Sequence, residues 1–167
     1  HAGSSGGKKD NTGFTSGGPT TLWERMKQRG FVGKNYMVGP AAWYWGAYPG
    51  KLLSSNPTAK IAEFFKDCKD GALPPFSIID LDFLTNDDHP SHSVQLGQAL
   101  MATLISAVMQ SPQWSRTLFV ITYDEHGGFY DHVAPPKMAD DLADFAQVGF
   151  RVPTLLIGPT VRQGFVD

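Results

Sequence analysis

Two carboxylates and an imidazole stand together in Asp124-Glu125-His126, and two glycines, Gly127 and Gly128, follow at once. Adjacent acidic side chains repel each other unless a cation lies beside them, and a hard or borderline divalent metal ion would supply that charge. The paired glycines allow positive φ and let the backbone approach a ligand closely. The pattern predicts that Asp124 and Glu125 bind one divalent metal ion of unknown identity.

The histidines are clustered rather than scattered, because four of the five fall in two short windows that also contain aspartates. One window holds His126, Asp131 and His132, and the other holds His89 and His92. Imidazoles can donate hydrogen bonds to a phosphate oxygen or to a leaving group. We favour His89 over His92, because His92 is as well placed to cap the following helix as to act in chemistry.

A purely structural interpretation competes with this one. Asp124 would cap a turn, and Glu125 and His126 would be solvated side chains. For an arbitrary Asp-Glu-His the two interpretations are about equally supported. The clustering of the histidines beside aspartates favours the functional interpretation here.

The segment that leads into Asp124 is typical of a strand. Apart from Leu118, residues 117–123 are β-branched or aromatic, and they contain no glycine or proline, which predicts a central strand covered on both faces. Residues 152–157 predict a second strand of the same kind. Ligands of open α/β sheets lie beyond the carboxyl ends of the strands, so Asp124 is expected at such an end.

Helices of suitable length alternate with further strands. Helices are predicted from Pro19 to Gly30, from Asn56-Pro57 to Gly71 and from Ser93 to Gln110, with strands at residues 31–38 and 76–79. This alternation predicts an α/β fold with a mostly parallel sheet flanked by helices. We see no internal repeat and no second domain.

Composition sets the protein class. With 167 residues, 41% of them hydrophobic and 18% charged, the chain is globular and fits one domain or a large part of one. Fourteen basic against 16 acidic residues leave a net charge of -2 and no basic stripe, so nucleic-acid binding has no electrostatic support. The most apolar run, residues 99–108, is shorter than the roughly 20 residues of a transmembrane helix. Six glycines in residues 1–18 predict a flexible loop.

Two other features admit two interpretations each. The aromatic loop of Trp43, Tyr44, Trp45 and Tyr48 could hold a quaternary ammonium group by cation–π attraction, but closing an edge of the core is the favoured role. The single cysteine, Cys68, is expected to be a small buried hydrophobe rather than a nucleophile. One cysteine leaves the cellular compartment open.

The string from Tyr123 to Pro136, together with Gly149-Phe150-Arg151-Val152-Pro153, closely resembles the bacterial phosphoesterase family. That family contains non-haemolytic phospholipases C and acid phosphatases. Supporting stretches occur in the family's order along nearly the whole chain: Thr21-Leu22-Trp23-Glu24-Arg25, Phe64-Phe65-Lys66-Asp67, Gly71-Ala72-Leu73-Pro74, Asp88-His89-Pro90 and Ser111-Pro112-Gln113-Trp114.

The resemblance implies an alkaline-phosphatase-like fold in which a Ser or Thr nucleophile attacks phosphorus at a metal centre. Asp124 and Glu125 match the paired acidic metal ligands, and His89 matches a histidine that contacts phosphate. His126 would help to position the phosphate, and Asp131 or His132 would support these groups.

The expected substrate is a phospholipid head group or a small phosphate ester, with at most transient contact with a membrane surface and no transmembrane segment. Family members are commonly exported, which implies a secreted, periplasmic or cell-envelope protein. The chain itself has no recognisable signal peptide.

Two elements of the family pattern have no counterpart here. These are a Glu-Asn pair of metal ligands and the threonine-proline-asparagine segment that carries the nucleophile. His1 to Gly7 looks like the stretch that follows this segment. We therefore expect an incomplete fold in which residues 19–167 form the C-terminal portion of the catalytic domain and the nucleophile lies upstream.

Two alternatives to an active phosphoesterase stay open. The missing ligands favour a truncated or catalytically silent chain that binds at most a metal ion or phosphate. A sulfatase-like hydrolase on the same scaffold is the weaker alternative.

Overall fold

The computed structural model of the chain describes residues 3–10, 12–14, 17–39 and 58–166. The aromatic loop from Trp43 to Tyr48 and the expected helix start at Asn56-Pro57 lie outside the described residues. The described part of residues 1–18 contains no helix or strand, and Lys9 within it forms a 2.6 Å ion pair with Asp144.

A parallel sheet of three strands lies at the centre of the fold. Its strands are β1 (Lys34–Met37), β2 (Thr58–Lys60) and β3 (Ser77–Asp80), in the order β2-β1-β3. Both neighbours of β1 run parallel to it. Parallel neighbours require crossover connections, and a helix, Ile61–Asp70, lies between β2 and β3 in the chain. The predicted α/β class with a parallel sheet flanked by helices is confirmed.

In the part of the chain that the structure describes, three α-helices accompany this sheet: α1 (Leu22–Gln28), α2 (Ile61–Asp70) and α3 (Val94–Met109). Helix α1 begins at a capping box in which Thr21 and Glu24 satisfy each other's backbone amides. Helix α2 ends at Gly71 in the left-handed conformation, as the sequence predicts. Short 3-10 helices cover Trp114–Arg116 and Ala143–Phe145.

The hydrophobic core lies between β1, α2 and α3. Tyr36 is fully buried, and its ring meets Phe64 edge to face at a centroid distance of 5.3 Å. Leu104 and Val108 of α3 complete the cluster with Cys68. Burying each such large apolar side chain contributes about 1.5–3 kcal/mol, so this cluster fixes the two helices on the sheet.

The predicted start of the second helix was wrong. We expected helix from Asn56-Pro57 onward, but Thr58–Lys60 forms strand β2 and α2 begins only at Ile61. Pairing beside β1 gives these three residues backbone hydrogen bonds from another part of the chain. Such tertiary contacts override local helix signals.

The prediction that residues 117–123 form a central covered strand was also wrong. Strand β4 (Phe119–Thr122) pairs antiparallel with β5 (Thr154–Ile157) in a separate sheet of two strands. Val120, Leu155 and Leu156 are about half exposed. The β-branched composition correctly predicts a strand, but it does not determine which strand becomes its partner or what covers it.

Among the described residues, no helix is long and apolar enough to cross a membrane.

A small charged network connects the sheet to α2. Asp67 is only 8% exposed and accepts hydrogen bonds from Lys34 Nζ at 2.7 Å and from Tyr36 Oη at 2.6 Å. Burial alone would raise the pKa of Asp67, but the two hydrogen bonds outweigh it and lower the pKa below its ordinary value of 3.8. The same contacts raise the pKa of Tyr36 through burial and its bond to Asp67. The ionised form of Asp67 therefore stabilises the fold.

Replacing Asp67 by Asn should reduce the free energy of unfolding at neutral pH by about 2 kcal/mol, because a hydrogen-bonded charge is lost beside Lys34. A folded-state pKa below the ordinary value means that the unfolded chain binds more protons in acid. Wild-type stability should accordingly fall as the pH drops from 3.8 towards the lower folded pKa, and D67N should lose that part of the pH dependence. Urea unfolding at several pH values tests this.

Asp70→Asn is the matched control, because Asp70 is exposed and its ion pair among the described residues is with Lys66, one helical turn away. Its effect should be within about 0.5 kcal/mol. Equal acid sensitivity in D67N and the wild type would contradict the assignment.

Candidate functional site

The loop after β4 carries the two adjacent carboxylates. Asp124 and Glu125 are both exposed, and one oxygen of Glu125, Oε2, accepts a hydrogen bond from the amide of Gly127 at 2.6 Å. Gly127 and Gly128 have φ of 69° and 78°, in the left-handed region that favours glycine. The glycines therefore build a tight turn directly behind the acids, as the sequence predicts.

His126 is held by this turn. Its Nδ1 lies 3.0 Å from the carbonyl oxygen of Phe129, and its ring lies 4.5 Å from the ring of Phe150. A carbonyl only accepts hydrogen bonds, so Nδ1 carries the proton. Nε2 is then the nitrogen left for a ligand.

A second loop, residues 82–92, carries the other two histidines. His89 is exposed, and its Nδ1 lies 3.2 Å from the carbonyl oxygen of Pro90. His92 is only partly exposed, and its Nδ1 lies 2.7 Å from Asp87 Oδ1. The rings of His89 and His92 lie 5.9 Å apart. Both imidazoles are thus oriented through Nδ1.

His92 does not cap the helix through its side chain, which bonds to Asp87 instead. The N-cap residue of α3 is Ser93, and it makes no side-chain cap bond. Burial would raise the pKa of Asp87, but the hydrogen bond from His92 and the amide of His89 lower it. A carboxylate on Nδ1 fixes the tautomer and the orientation of an imidazole.

The two loops meet. Tyr123, the residue before Asp124, donates its hydroxyl to Asp88 Oδ2 at 2.8 Å. A side-chain carbon added at Gly127 would lie 3.2 Å from Pro90 Cγ, so the glycine turn touches the residue after His89. The two loops follow β3 and β4, which belong to different sheets. Side-chain contacts, not a shared sheet, bring the loops together.

Asp131 forms an ion pair with Arg151. Arg151 donates to both carboxylate oxygens, from Nε at 2.8 Å and from Nη2 at 2.7 Å, and the amide of Val133 donates at 3.0 Å. The Arg151 guanidinium, followed by the Val133 amide, holds the pKa of Asp131 well below its usual range. His132 is exposed, with Nδ1 3.7 Å from Asp131. Asp131 thus joins the site loop to Arg151.

The described residues fit only part of a metal site. Asp124 and Glu125 supply two carboxylates, but no group of three or more His, Cys, Asp or Glu side chains in the described ranges is close enough to hold an ion. A firmly held catalytic ion usually has at least three protein ligands. The described part of the chain does not complete such a centre.

Sequence reasoning missed the residues that hold the site loops: Tyr123, Asp87, Asp88 and Arg151. Asp87 and Asp88 were noticed only as charges near histidines, and no spacing rule connects residues 88 and 123. Cys68 behaves as expected, since it is 1% exposed and burial raises the pKa of its thiol to about 11.

A phosphoesterase family model matches residues 45–167, well over half of the chain. The chain belongs to the phosphoesterase family. This phosphoesterase chain is 39% identical to non-specific phospholipase C4 of Arabidopsis thaliana over 165 residues, covering 87% of the chain and 30% of the relative.

Two further relatives of the phosphoesterase chain extend the comparison. Non-specific phospholipase C3 of Arabidopsis thaliana is 34% identical, over 99% of the chain and 36% of the relative. Phospholipase C A of Mycobacterium tuberculosis is 31% identical, over 60% of the chain and 23% of the relative. The chain spans about a third or less of the length of these curated relatives.

Replacing Gly127 by Ala should destabilise the phosphoesterase chain more than replacing Gly128. Both glycines have positive φ, which costs an L-residue about 1–2 kcal/mol. The new methyl group at 127 would also press on the Phe129 ring at 3.1 Å and on Pro90 at 3.2 Å. No atom of the described residues lies within 4 Å of a side-chain carbon added at 128. Thermal unfolding of the two variants measures the difference. Equal losses would show that Gly127 does not contact the second loop.

Proposed function

We propose that this protein hydrolyses phosphoric esters, with a phospholipid or a small phosphate ester as substrate. Membership of the phosphoesterase family and relatives named as phospholipases C support the reaction class. The observation that carries the proposal is the meeting of the His89 loop with the Asp124 loop through Tyr123 and Asp88. This contact supports a site in which His89, a candidate hydrogen-bond donor to phosphate, acts together with the candidate metal ligands Asp124 and Glu125.

In this proposal His89 and His126 bind the phosphoryl oxygens. Each has Nδ1 on a backbone carbonyl, so Nδ1 carries a proton and Nε2 is the nitrogen left for the substrate. A neutral ring would only accept at Nε2, whereas a protonated ring donates from both nitrogens. Two imidazolium donors would neutralise charge that develops on the phosphoryl oxygens.

Asp131 and His132 have a supporting role in the proposal. Asp131 binds Arg151 with both oxygens, so it fixes the path of the loop between Asp124 and Val133. His132 beside it is exposed and is available to a substrate or to another part of the protein.

Asp124 and Glu125 are proposed as two ligands of one divalent cation. Such an ion, when bound, stabilises charge on a phosphoryl oxygen. The family resemblance implies that a Glu-Asn pair and a Ser or Thr nucleophile complete the centre. We assign both to a part of the protein outside these 167 residues. The nucleophile would form a phospho-enzyme that water then hydrolyses.

The remaining assignments are part of the same proposal. Residues 19–167 would form the C-terminal portion of the catalytic domain and residues 1–18 a flexible loop. The protein would act outside the cytoplasm and contact membrane surfaces transiently.

A catalytically silent chain is the second candidate. It is favoured by the absence of a three-ligand metal group from the described residues. In that case the chain would bind a metal ion or phosphate weakly without turnover.

Asp124→Ala in the full-length protein should abolish most hydrolysis of phosphatidylcholine and of a simple phosphomonoester. We expect a loss in kcat of about 100-fold or more, since even outer partners of metal ligands are worth roughly 10–100-fold. Asp70→Ala is the control, because Asp70 is an exposed acid at the end of α2 that pairs with Lys66. Wild-type rates in D124A on both substrates would refute the proposal, and an inactive wild type would favour the silent chain.

The 167-residue chain alone should lose its metal on dialysis. Two carboxylates, one of which already accepts a hydrogen bond from Gly127, leave the other coordination positions to water. Elemental analysis after dialysis against metal-free buffer measures the retained ion. Stoichiometric metal in the dialysed chain would show that other residues complete the site and that the ligand assignment is wrong.

A further inference from the structure

We propose that Asp88 and Tyr123 are a pair of positioning residues that set His89 against Asp124 and Glu125. The proposal rests on the proposed function, because it assigns residues that arrange the same site. Neither residue is a candidate metal ligand or a candidate hydrogen-bond donor to phosphate.

The pair is one hydrogen bond between two distant segments. Tyr123 Oη donates to Asp88 Oδ2 at 2.8 Å, across 35 positions of sequence. Tyr123 immediately precedes Asp124, and Asp88 immediately precedes His89. A displacement at either end of this bond is therefore passed directly to a candidate site residue.

The backbone of the His89 loop needs such a restraint. Asp88 and Ser91 have φ of 61° and 78°, and a left-handed conformation costs an L-residue about 1–2 kcal/mol. Aspartate tolerates this conformation better than most residues, and the bond to Tyr123 holds it there. His89 and Pro90 lie between the two left-handed residues, so their direction depends on both.

Asp88 is also enclosed by helix α3. Its Oδ1 is buried and has no hydrogen-bond partner among the described residues, because it packs directly on Gly97. A side-chain carbon added at Gly97 would overlap this oxygen. Glycine inside a helix costs about 1 kcal/mol relative to alanine, and the close approach of Asp88 explains why glycine stands there.

This enclosure separates positioning from catalysis. One oxygen of Asp88 is taken by Tyr123 and the other is covered by α3, so neither is free to meet a substrate. The loop that follows nevertheless reaches the site, since Pro90 touches the turn at Gly127. We therefore assign to Asp88 an indirect role, in which it fixes the position of His89.

The test uses four variants of the full-length protein: Y123F, D88A, D88N and the double variant D88A/Y123F. We expect kcat for phosphate-ester hydrolysis to fall about tenfold to a hundredfold in Y123F and D88A, because a displacement of about 1 Å in a catalytic group can reduce the rate by this factor. D88N should recover most of the loss, because asparagine accepts the same hydrogen bond and tolerates the same φ. The double variant should be no slower than D88A, since both changes remove one interaction. Circular dichroism checks that each variant is folded.

Hydrogen exchange gives a readout that does not depend on turnover. Y123F should accelerate amide exchange in the distant residues 86–92, D88A should accelerate it in residues 124–129, and D70A should change neither. Gly97→Ala should reproduce the exchange effect of D88A by displacing the carboxylate.

The outcomes are distinct. Faster amide exchange in the loop opposite the substituted residue, together with an inactive wild type, would refute the proposed function and leave the positioning pair supported. Exchange that changes only around each substituted residue, or D88N as slow as D88A, would overturn the positioning role.

Discussion

The candidate site depends on holding together two loops that follow strands of different sheets. Within one parallel sheet, backbone hydrogen bonds fix where neighbouring strands end. Here β3 belongs to the three-stranded sheet and β4 to the two-stranded one, so no ladder relates the loop of His89 to the loop of Asp124. The Tyr123 hydroxyl on Asp88 and the contact of Pro90 with the Gly127 turn supply that relation. Phe119 of β4 packs on the core cluster around Tyr36, which sets the second sheet against the first.

Local sequence signals predict much of this framework because they act over a few residues. Gly71 as the end of a helix and the helical pattern from Ser93 to Gln110 each predict a boundary or an element that the structure contains. The strand at Thr58–Lys60 was missed because it is extended through its pairing with β1, which lies more than 20 positions away in the sequence. The partner of β4 was missed for the same reason, since strand composition does not specify pairing.

The candidate site shows the same division. The cluster of acids, histidines and glycines around 124–128 could be recognised from residue types alone, and so could the family. How that cluster meets the His89 loop could not be predicted in this way, because the two loops follow strands of different sheets. The bonds of Asp88 to Tyr123 and of Asp131 to Arg151 join residues 35 and 20 positions apart, and no single-sequence pattern encodes such pairs.

The acidic side chains fall into two classes with different consequences. Asp67 and Asp131 each have a cation, Lys34 or Arg151, and their low pKa values follow from those partners. Asp124 has no ion pair or hydrogen bond with another described residue, and Glu125 has only a backbone amide. An acid whose charge is already compensated stabilises structure, whereas adjacent acids without a counter-charge are poised for a cation. Arg151 thus neutralises Asp131 beside the candidate site and Lys34 neutralises Asp67 in the fold, whereas Asp124 and Glu125 have no cationic partner among the described residues.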